Sequence, residues 1–457
     1  MDAQYDVIVV GTGPAGGTIA AGMAGAGQRV LMLEKGAYHP RFLLGKQIPS
    51  LLLLDKMGAS ATKEGLPVAR GITVGGSALV SCGAATPAFP GMFEAVGMDL
   101  RDEIEKAHDY MHIDDDFPQR LIGKGQMHLM EVANSLGFSF RKMKKFVRAD
   151  KCREGCSCMK GCPTGAKWSG RVPVEEARSQ GAILRTRTEV VKVLVQQGEA
   201  AGVETRQGEA FLSKIVVLSA GGLGSPPILR NSGIVGAGDK FGMDPLRFTY
   251  GFHRQYPMMR DMDMGIVDDS LLESDGFILS PVMHTWAGYL SAVPRASGLP
   301  PLASLGRFGR AVSVMTKIQD DLGGTIYEDG TFSKPLTDRD RAKLDRGEQL
   351  ATLILKKAGC DANTIFSCKP GAAHPCASVR IGDHIDTNFE TRIRNLFVCD
   401  TSSFPKPMGL PCVWTCTALG LRMTKILKDR LHATSGPGVV PQRFGKRIRP
   451  PKSLSLG

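Results

Sequence analysis

The opening stretch of the chain constrains its fold more than any other. Tyr5-Asp6-Val7-Ile8-Val9-Val10 is an apolar run that reads as a buried parallel strand, and it leads directly into Gly11-Thr12-Gly13-Pro14-Ala15-Gly16. The Ala- and Gly-rich segment from Pro14 to about Ala26 reads as a closely packed helix, and Val30 to Leu33 as a second strand that ends at Glu34-Lys35-Gly36. Strand, glycine turn, helix, strand and terminal acid together form a dinucleotide fingerprint. Gly11 permits the tight turn, Gly13 admits backbone to a pyrophosphate, and Gly16 lets helix and strand pack closely. Pro14 and Ala15 open the helix, whose N-terminus faces the phosphates. Glu34, followed by Lys35, stands where an acid accepts the ribose hydroxyls of an adenosine and disfavours a 2′-phosphate.

At 457 residues the chain exceeds one compact core and divides into at least two domains. Its 55 glycines exceed average usage, which suits a chain whose backbone approaches a large ligand at several points. No apolar run reaches the length of a membrane span, and the first strand begins too early to leave room for a signal peptide, so the expected location is cytoplasmic. Eleven cysteines in such a chain are expected to be thiols or metal ligands rather than a disulfide framework. The net charge of +12 is scattered without a recognition pattern, so no nucleic acid is expected as a partner. Beyond Asp429 there is no acid, while Arg443, Lys446, Arg447, Arg449 and Lys452 accumulate. This basic tail, 433–457, reads as a solvated end or as a docking segment for an acidic partner or membrane surface.

A second glycine-rich turn, Arg70-Gly71-Ile72-Thr73-Val74-Gly75-Gly76-Ser77-Ala78, follows the first. Later come the buried strand Ile215 to Leu218 opening on Ser219-Ala220-Gly221-Gly222, the run Ser225-Pro226-Pro227-Ile228-Leu229, Ala373-His374-Pro375, and Asn395 to Ser402. A helix from about Val413 to Leu427 closes the domain. In this order the motifs resemble the glucose–methanol–choline family of flavoenzymes across nearly the whole chain, in the branch with a Cys-rich loop. The resemblance implies an α/β Rossmann-like FAD-binding domain, a parallel sheet with helices on both faces, built from 1–238 and 371–432. It also implies an α+β substrate domain with an antiparallel sheet over 239–370, and an insertion at about 100–148 that caps the site. FAD is the implied cofactor. Gly75, Gly76 and Ser77 would line the flavin, with Ala220 and Gly221 also at the cofactor and the backbone of Val190 or Val191 at the adenine. Asp400 would contact the ribityl chain, and the final helix would present its N-terminus, Cys412 and Val413, to the pyrimidine ring. His374 is the implied active-site histidine.

Cys152-Arg153-Glu154-Gly155-Cys156-Ser157-Cys158-Met159-Lys160-Gly161-Cys162-Pro163 places four cysteines in eleven residues. The spacing from Cys158 to Cys162 and the following proline match the tail of a bacterial ferredoxin run, with the second cysteine one place late. Three readings stay open: a 4Fe–4S cluster on Cys152, Cys156, Cys158 and Cys162, zinc on the same thiolates, or a metal-free loop beside the flavin. Long-chain alcohol oxidases of the resembled family carry a related loop followed by Gly-x-Lys, here Gly165-Ala166-Lys167.

Flavin oxidation of a carbinol needs a group that removes the hydroxyl proton as hydride leaves carbon, and the imidazole of His374 fits. Family members place a second histidine or asparagine before the last helix. Here Pro411 stands at that position, which leaves His253, His284 or His384 as replacements. Met258, Met259, Met262, Met264, Met283 and Met315, interspersed with aromatics, suit a bulky apolar substrate. The expected function is an FAD-dependent dehydrogenase that moves hydride from an apolar alcohol to flavin N5 and passes electrons to a protein or quinone acceptor through the cysteine loop. Two alternatives stand beside it: a flavin-dependent C=C reductase or desaturase, and an electron-transfer subunit without its own small substrate.

Overall fold

The computed structural model describes residues 4–88, 91–155, 158–284, 286–298 and 300–434. The basic tail beyond residue 434, and Cys156, lie outside the described residues. β1 (Tyr5–Val10), α1 (Pro14–Ala24) and β2 (Val30–Leu33) form where the apolar periodicity places them, with proline in the first turn of α1, where its missing N–H is not needed. After a long excursion come α2 (Arg171–Ser179), β3 (Ile183–Arg185), β4 (Val190–Gln196), β5 (Glu199–Thr205) and β6 (Ala210–Leu218).

These strands make one sheet in the order β3-β2-β1-β6-β5-β4, and Leu396–Val398 also pairs with β6. β6 changes partners along its length. Its first part pairs antiparallel with β5, while Val216 to Leu218 pairs parallel with β1 and with Leu396–Val398. The parallel strands therefore end together, and their C-terminal ends carry Gly11, Glu34, Ser219 to Gly221, and Asp400. A parallel sheet binds its ligand at this edge.

α1 lies against α2 and against the C-terminal helix Val413–Thr434 with little side chain between them. A Cβ on Gly17 would stand 2.9 Å from the Gly170 carbonyl oxygen, and one on Gly420 2.9 Å from that of Ala15. The helix expected over Asp102 to His108 forms as Arg101–Tyr110 and packs on the C-terminal helix, where Trp414 Nε1 donates to the Ile104 carbonyl at 2.8 Å. The second expected helix of that insertion forms as Lys124–Ser135.

The second sheet holds β7 (Pro245–Phe252), β8 (Phe277–Ser280) and β9 (Ala311–Ile318) in the order β8-β9-β7, all antiparallel. It continues through Gly371–Ala373 to Val68–Ala69, this last pair parallel. Helix α3 (Asp338–Lys357) covers one face, and its start is fixed by a reciprocal capping box between Thr337 and Asp340. Every residue of β9 is buried, Lys317 included. The hairpin signalled by Asp329-Gly330 forms from Gly323–Ile326 and Phe332–Ser333. It joins Asp239–Phe241 in a separate three-stranded sheet rather than the larger wall. No helix among the described residues is long and apolar enough to cross a membrane.

The α1 interface generates a stability prediction. A Cβ on Gly22 would lie 2.3 Å from Thr424 Cγ2 and 2.8 Å from Thr424 Oγ1, so both branches of the threonine crowd it. Alanine is the better helix former by about 1 kcal/mol, yet Gly22→Ala is expected to cost about 1–3 kcal/mol in urea denaturation through overpacking. Thr424→Ala in the same chain should recover most of that loss. Equal losses with and without Thr424→Ala would refute the clash.

Candidate active site

The two glycine turns meet at the N-termini of two helices. Thr12 Oγ1 donates to Glu34 Oε2 at 2.6 Å and accepts from the Gly75 N–H at 3.3 Å, so the end of β2 and both turns form one unit. A Cβ on Gly76 would meet Gly13 Cα at 2.8 Å, and one on Gly170, the N-cap of α2, would meet Gly13 C at 2.9 Å. Gly13 itself faces open space, with nothing within 4 Å of the Cβ it lacks. Beside this opening, Arg171 Nε donates to the Val74 carbonyl at 3.1 Å and Nη1 to that of His39 at 2.7 Å, while Nη2 is buried without a hydrogen-bond partner. An open cradle at two helix N-termini with an unmatched guanidinium nitrogen fits a pyrophosphate.

The other expected cofactor residues gather around this edge. Glu34 Oε2 also accepts the Thr12 N–H at 3.0 Å, and Oε1 accepts that of Gly36 at 2.8 Å, which leaves Oε1 a further lone pair. Asp400 Oδ2 accepts from the Gly221 N–H at 2.8 Å and from Ser225 Oγ at 2.6 Å, while Oδ1 takes the Ser402 N–H at 2.6 Å. Burial raises the pKa of both carboxyls against these hydrogen bonds. Lys35 turns to Glu189 Oε1 at 2.9 Å, and Ser77 Oγ accepts the Gly71 N–H at 2.9 Å. Val190 is buried in β4, and the Val191 carbonyl accepts from Asn231 Nδ2 at 3.1 Å.

His374 is joined to the same edge by its neighbour. A Cβ on Gly222 would stand 2.0 Å from the Pro375 carbonyl oxygen, and that oxygen accepts from Thr401 Oγ1 at 2.8 Å. His374 adopts φ +55°, a left-handed conformation that costs a non-glycine residue about 1–3 kcal/mol and concentrates at functional sites. Its Nδ1 lies 3.3 Å from Asp244 Oδ2, which is 3.1 Å from Lys317 Nζ, and the Gly409 N–H donates to Asp244 Oδ1 at 3.0 Å. Burial alone would raise the Asp244 pKa; the Lys317 charge and the His374 hydrogen bond hold it below the ordinary value. An ionised Asp244 accepts Nδ1–H and leaves Nε2 with the lone pair. Among the described residues no hydrogen bond is made at Nε2, and the His374 side chain is 30% exposed where that of Asp244 is 1%.

Sequence reasoning missed Asp244 and Lys317. The available signal was Lys317, the only charge in the apolar run Ala311 to Ile318; nothing local marked Asp244. The three histidines proposed to replace the family's second residue are engaged elsewhere. His253 Nδ1 accepts the N–H groups of Gln255 and Tyr256, and His384 Nε2 bonds the Gly236 carbonyl at 3.0 Å. His284 Nδ1 meets the Tyr250 hydroxyl at 2.7 Å, and burial lowers its pKa to about 4. Pro411 offers a carbonyl, which accepts from Thr86 Oγ1 at 2.9 Å. The residue after it, Cys412, falls within the electrostatic reach of His374 and Lys317.

The cysteine loop sits behind the second glycine turn. Lys167 Nζ donates to the carbonyls of Leu79, Ser81 and Cys158 at 3.0, 2.6 and 2.7 Å, which ties the loop to the stretch after Ser77. Cys158 is buried in an apolar cluster, and Cys162 Sγ accepts the Lys167 N–H at 3.3 Å. Among the described residues no three His, Cys, Asp or Glu side chains are grouped to hold a metal ion.

A family model described as GMC oxidoreductase matches residues 5–243. A long-chain-alcohol oxidase of Arabidopsis thaliana is 24% identical over 513 residues, spanning 93% of this chain and 68% of that protein. An uncharacterized GMC-type oxidoreductase of Mycobacterium tuberculosis is 25% identical over 325 residues, spanning 65% and 48%. Among solved structures, a formate oxidase of Aspergillus oryzae superposes with a TM-score of 0.73 at 15% identity, covering 95% of this chain and 100% of that one. Pyridoxine 4-oxidase from "Mesorbium loti" gives 0.69 at 17% identity over 93% and 99%. At such identities the structures speak for the fold alone.

The cradle predicts a measurable role for Arg171. Arg171→Met is expected to raise the Kd for FAD about tenfold or more, equivalent to about 1.4 kcal/mol, as read by flavin fluorescence on dilution. Unchanged retention would remove Arg171 from the site. With the family model covering more than half of the chain and the glycine cradle fitting the dinucleotide, the chain belongs to the GMC oxidoreductase family and is an FAD-dependent enzyme.

Proposed function

We propose that this enzyme oxidises an apolar primary alcohol to its carbonyl compound and passes the electrons to molecular oxygen. The observation that carries the reading is the Asp244–His374 pair, which holds one imidazole nitrogen as a proton acceptor at the edge of the cofactor cradle. Bound FAD supplies the hydride acceptor, flavin N5. His374 Nε2 takes the hydroxyl proton, Asp244 keeps the ring in that tautomer, and Lys317 keeps Asp244 ionised. The N-terminus of the C-terminal helix, with no acid in its first turn, favours negative charge nearby.

An apolar substrate is supported by the surroundings of this pair. Met408 and Leu410, in the apolar cluster that also holds Cys412, flank the Gly409 N–H bound to Asp244. It is also supported by the relatives named for long-chain alcohols. Met258, Met262 and Met283 pack instead into the core of the second sheet. Oxygen as acceptor departs from the expectation of a protein or quinone acceptor. The relatives and structural neighbours named by activity are oxidases.

Anaerobic mixing with long-chain primary alcohols tests the proposal. The wild type is expected to bleach its flavin and release the aldehyde, and on admitting oxygen to form peroxide. His374→Asn should slow flavin reduction by about 10²–10⁴-fold. Asp244→Asn should lower kcat about tenfold or more with KM little changed, because it misplaces a base rather than the substrate. Absence of reduction by any apolar alcohol, or a His374→Asn rate near that of the wild type, would sink the reading. Reduction without peroxide would return the acceptor to a protein or quinone.

A further inference from the structure

Asp244 and His374 meet across a fault in the second sheet. Pro245 pairs with Ala372, and Gly242 bridges Cys376, its N–H donating to the Cys376 carbonyl at 3.0 Å and its carbonyl accepting in return at 2.9 Å. Between these pairings Met243 and Asp244 oppose three residues, Ala373, His374 and Pro375, so the ladder carries a bulge. Asp244 at φ +45° and His374 at φ +55° are both left-handed there. The bulge brings their side chains together and leaves the N–H groups of Met243 and Asp244 without a strand partner.

A buried carboxylate takes both N–H groups. Asp320 Oδ1 accepts from Asp244 at 3.1 Å and from Met243 at 3.2 Å, and Oδ2 also lies 3.2 Å from the Met243 nitrogen. Asp320 stands two residues past β9, so the end of one strand brings Lys317 to the Asp244 carboxylate and Asp320 to the Asp244 backbone. Lys334 Nζ lies 3.0 Å from Asp320 Oδ2 and donates to the carbonyls of Phe241, at 2.9 Å, and of Asp321. Neither side chain of this pair reaches solvent, with Lys334 1% and Asp320 0% exposed.

We infer that Asp320, held by Lys334, is a positioning residue for the base: it fixes the left-handed backbone of Asp244 so that the Asp244 carboxylate meets His374 Nδ1. A strained backbone persists only where its surroundings over-determine it, and hydrogen bonds to an ionised acceptor are the stronger kind. A carboxylate serves two N–H groups and an ammonium at once, whereas an amide would turn its own donors toward Lys334. The contact it protects has little slack. At 3.3 Å the Nδ1–Oδ2 distance is already at the long end for a hydrogen bond, and a further shift of about 1 Å would release the ring.

The inference rests on the reading of His374 as the base, and its first readout needs no alcohol. Two double variants separate the hydrogen bonds from the charge pair. Asp320→Leu with Lys334→Met keeps the volume and removes the acceptor; Asp320→Asn with Lys334→Met removes the same charges and keeps an oxygen for both N–H groups. The tautomer of His374 is read by nitrogen NMR on histidine-labelled holoenzyme at alkaline pH, its signal identified as the one missing from His374→Asn. The ratio of Nδ1–H to Nε2–H tautomer should fall about tenfold or more in the leucine variant and return to within about threefold of wild type in the asparagine variant. With a long-chain alcohol, kcat should fall about tenfold or more in the leucine variant with KM little changed, and recover in the asparagine variant. If the leucine variant does not fold, Asp320→Glu, which keeps the pair with Lys334 and displaces the oxygens by one methylene, should lower the tautomer ratio in the same direction. The same ratio in the leucine and asparagine variants, or a ratio unchanged by Asp320→Glu, would overturn the inference. A shifted tautomer without any alcohol oxidation would support it while sinking the alcohol reading.

Discussion

A Cβ on Gly11 would stand 2.3 Å from the Ser219 carbonyl oxygen, and one on Gly16 would stand 2.2 Å from the carbonyl oxygen of Gly11. The turn after β1 therefore closes against the end of β6 and beneath α1 only because no side chains intervene. From that approach follow the alignment of the parallel strand ends, the exposure of the α1 N-terminus and the open face of Gly13. The hydrogen bonds of Ser219 to the Val10 carbonyl, at 2.7 Å, and of Cys399 to that of Leu218, at 2.9 Å, carry the same edge across to Asp400. Neighbouring Gly222 and Thr401 hold Pro375, and through it His374.

Around this edge the protein buries cations and satisfies them with backbone. Lys167 spends its ammonium on three carbonyls, and Lys145 binds those of Cys82 and Asp263 at 3.1 and 2.7 Å. An unmatched buried charge costs several kcal/mol. These contacts therefore fix the stretch from Leu79 to Cys82 more firmly than a loop of its composition would hold itself. Lys317 differs, lying 3.1 Å from Asp244 without a well-aligned hydrogen bond. It acts as a charge, and its effect is on the ionisation of Asp244 and of the groups around it.

The cysteines divide by surroundings rather than by number. Cys158 is enclosed by apolar side chains and by a carbonyl-bound lysine, while Cys376 and Cys399 are sealed in the main core. Cys412 and Cys416 lie at the start of the C-terminal helix, where the Cys416 N–H donates to the Cys412 carbonyl at 2.9 Å. That same start favours negative charge near the site.

Local pattern determined much of this protein. The β1–α1–β2 unit, the hairpin around Asp329-Gly330 and the C-terminal helix follow from apolar periodicity and turn residues, which depend on near neighbours and are legible in any window that contains them. Motif order added the positions of His374 and Asp400 by resemblance. What only the tertiary structure decided involves partners far apart in sequence: Asp244 with His374, Lys317 with Asp244, Arg171 with the second glycine turn, and the small hairpin with Asp239–Phe241 rather than with the larger sheet. Histidines read as spare, His253, His284 and His384, proved to be held by backbone or by tyrosine. A residue's type shows that it is able to ionise or donate. Whether it does depends on the burial and charge that the rest of the chain brings to it, and no local window contains them.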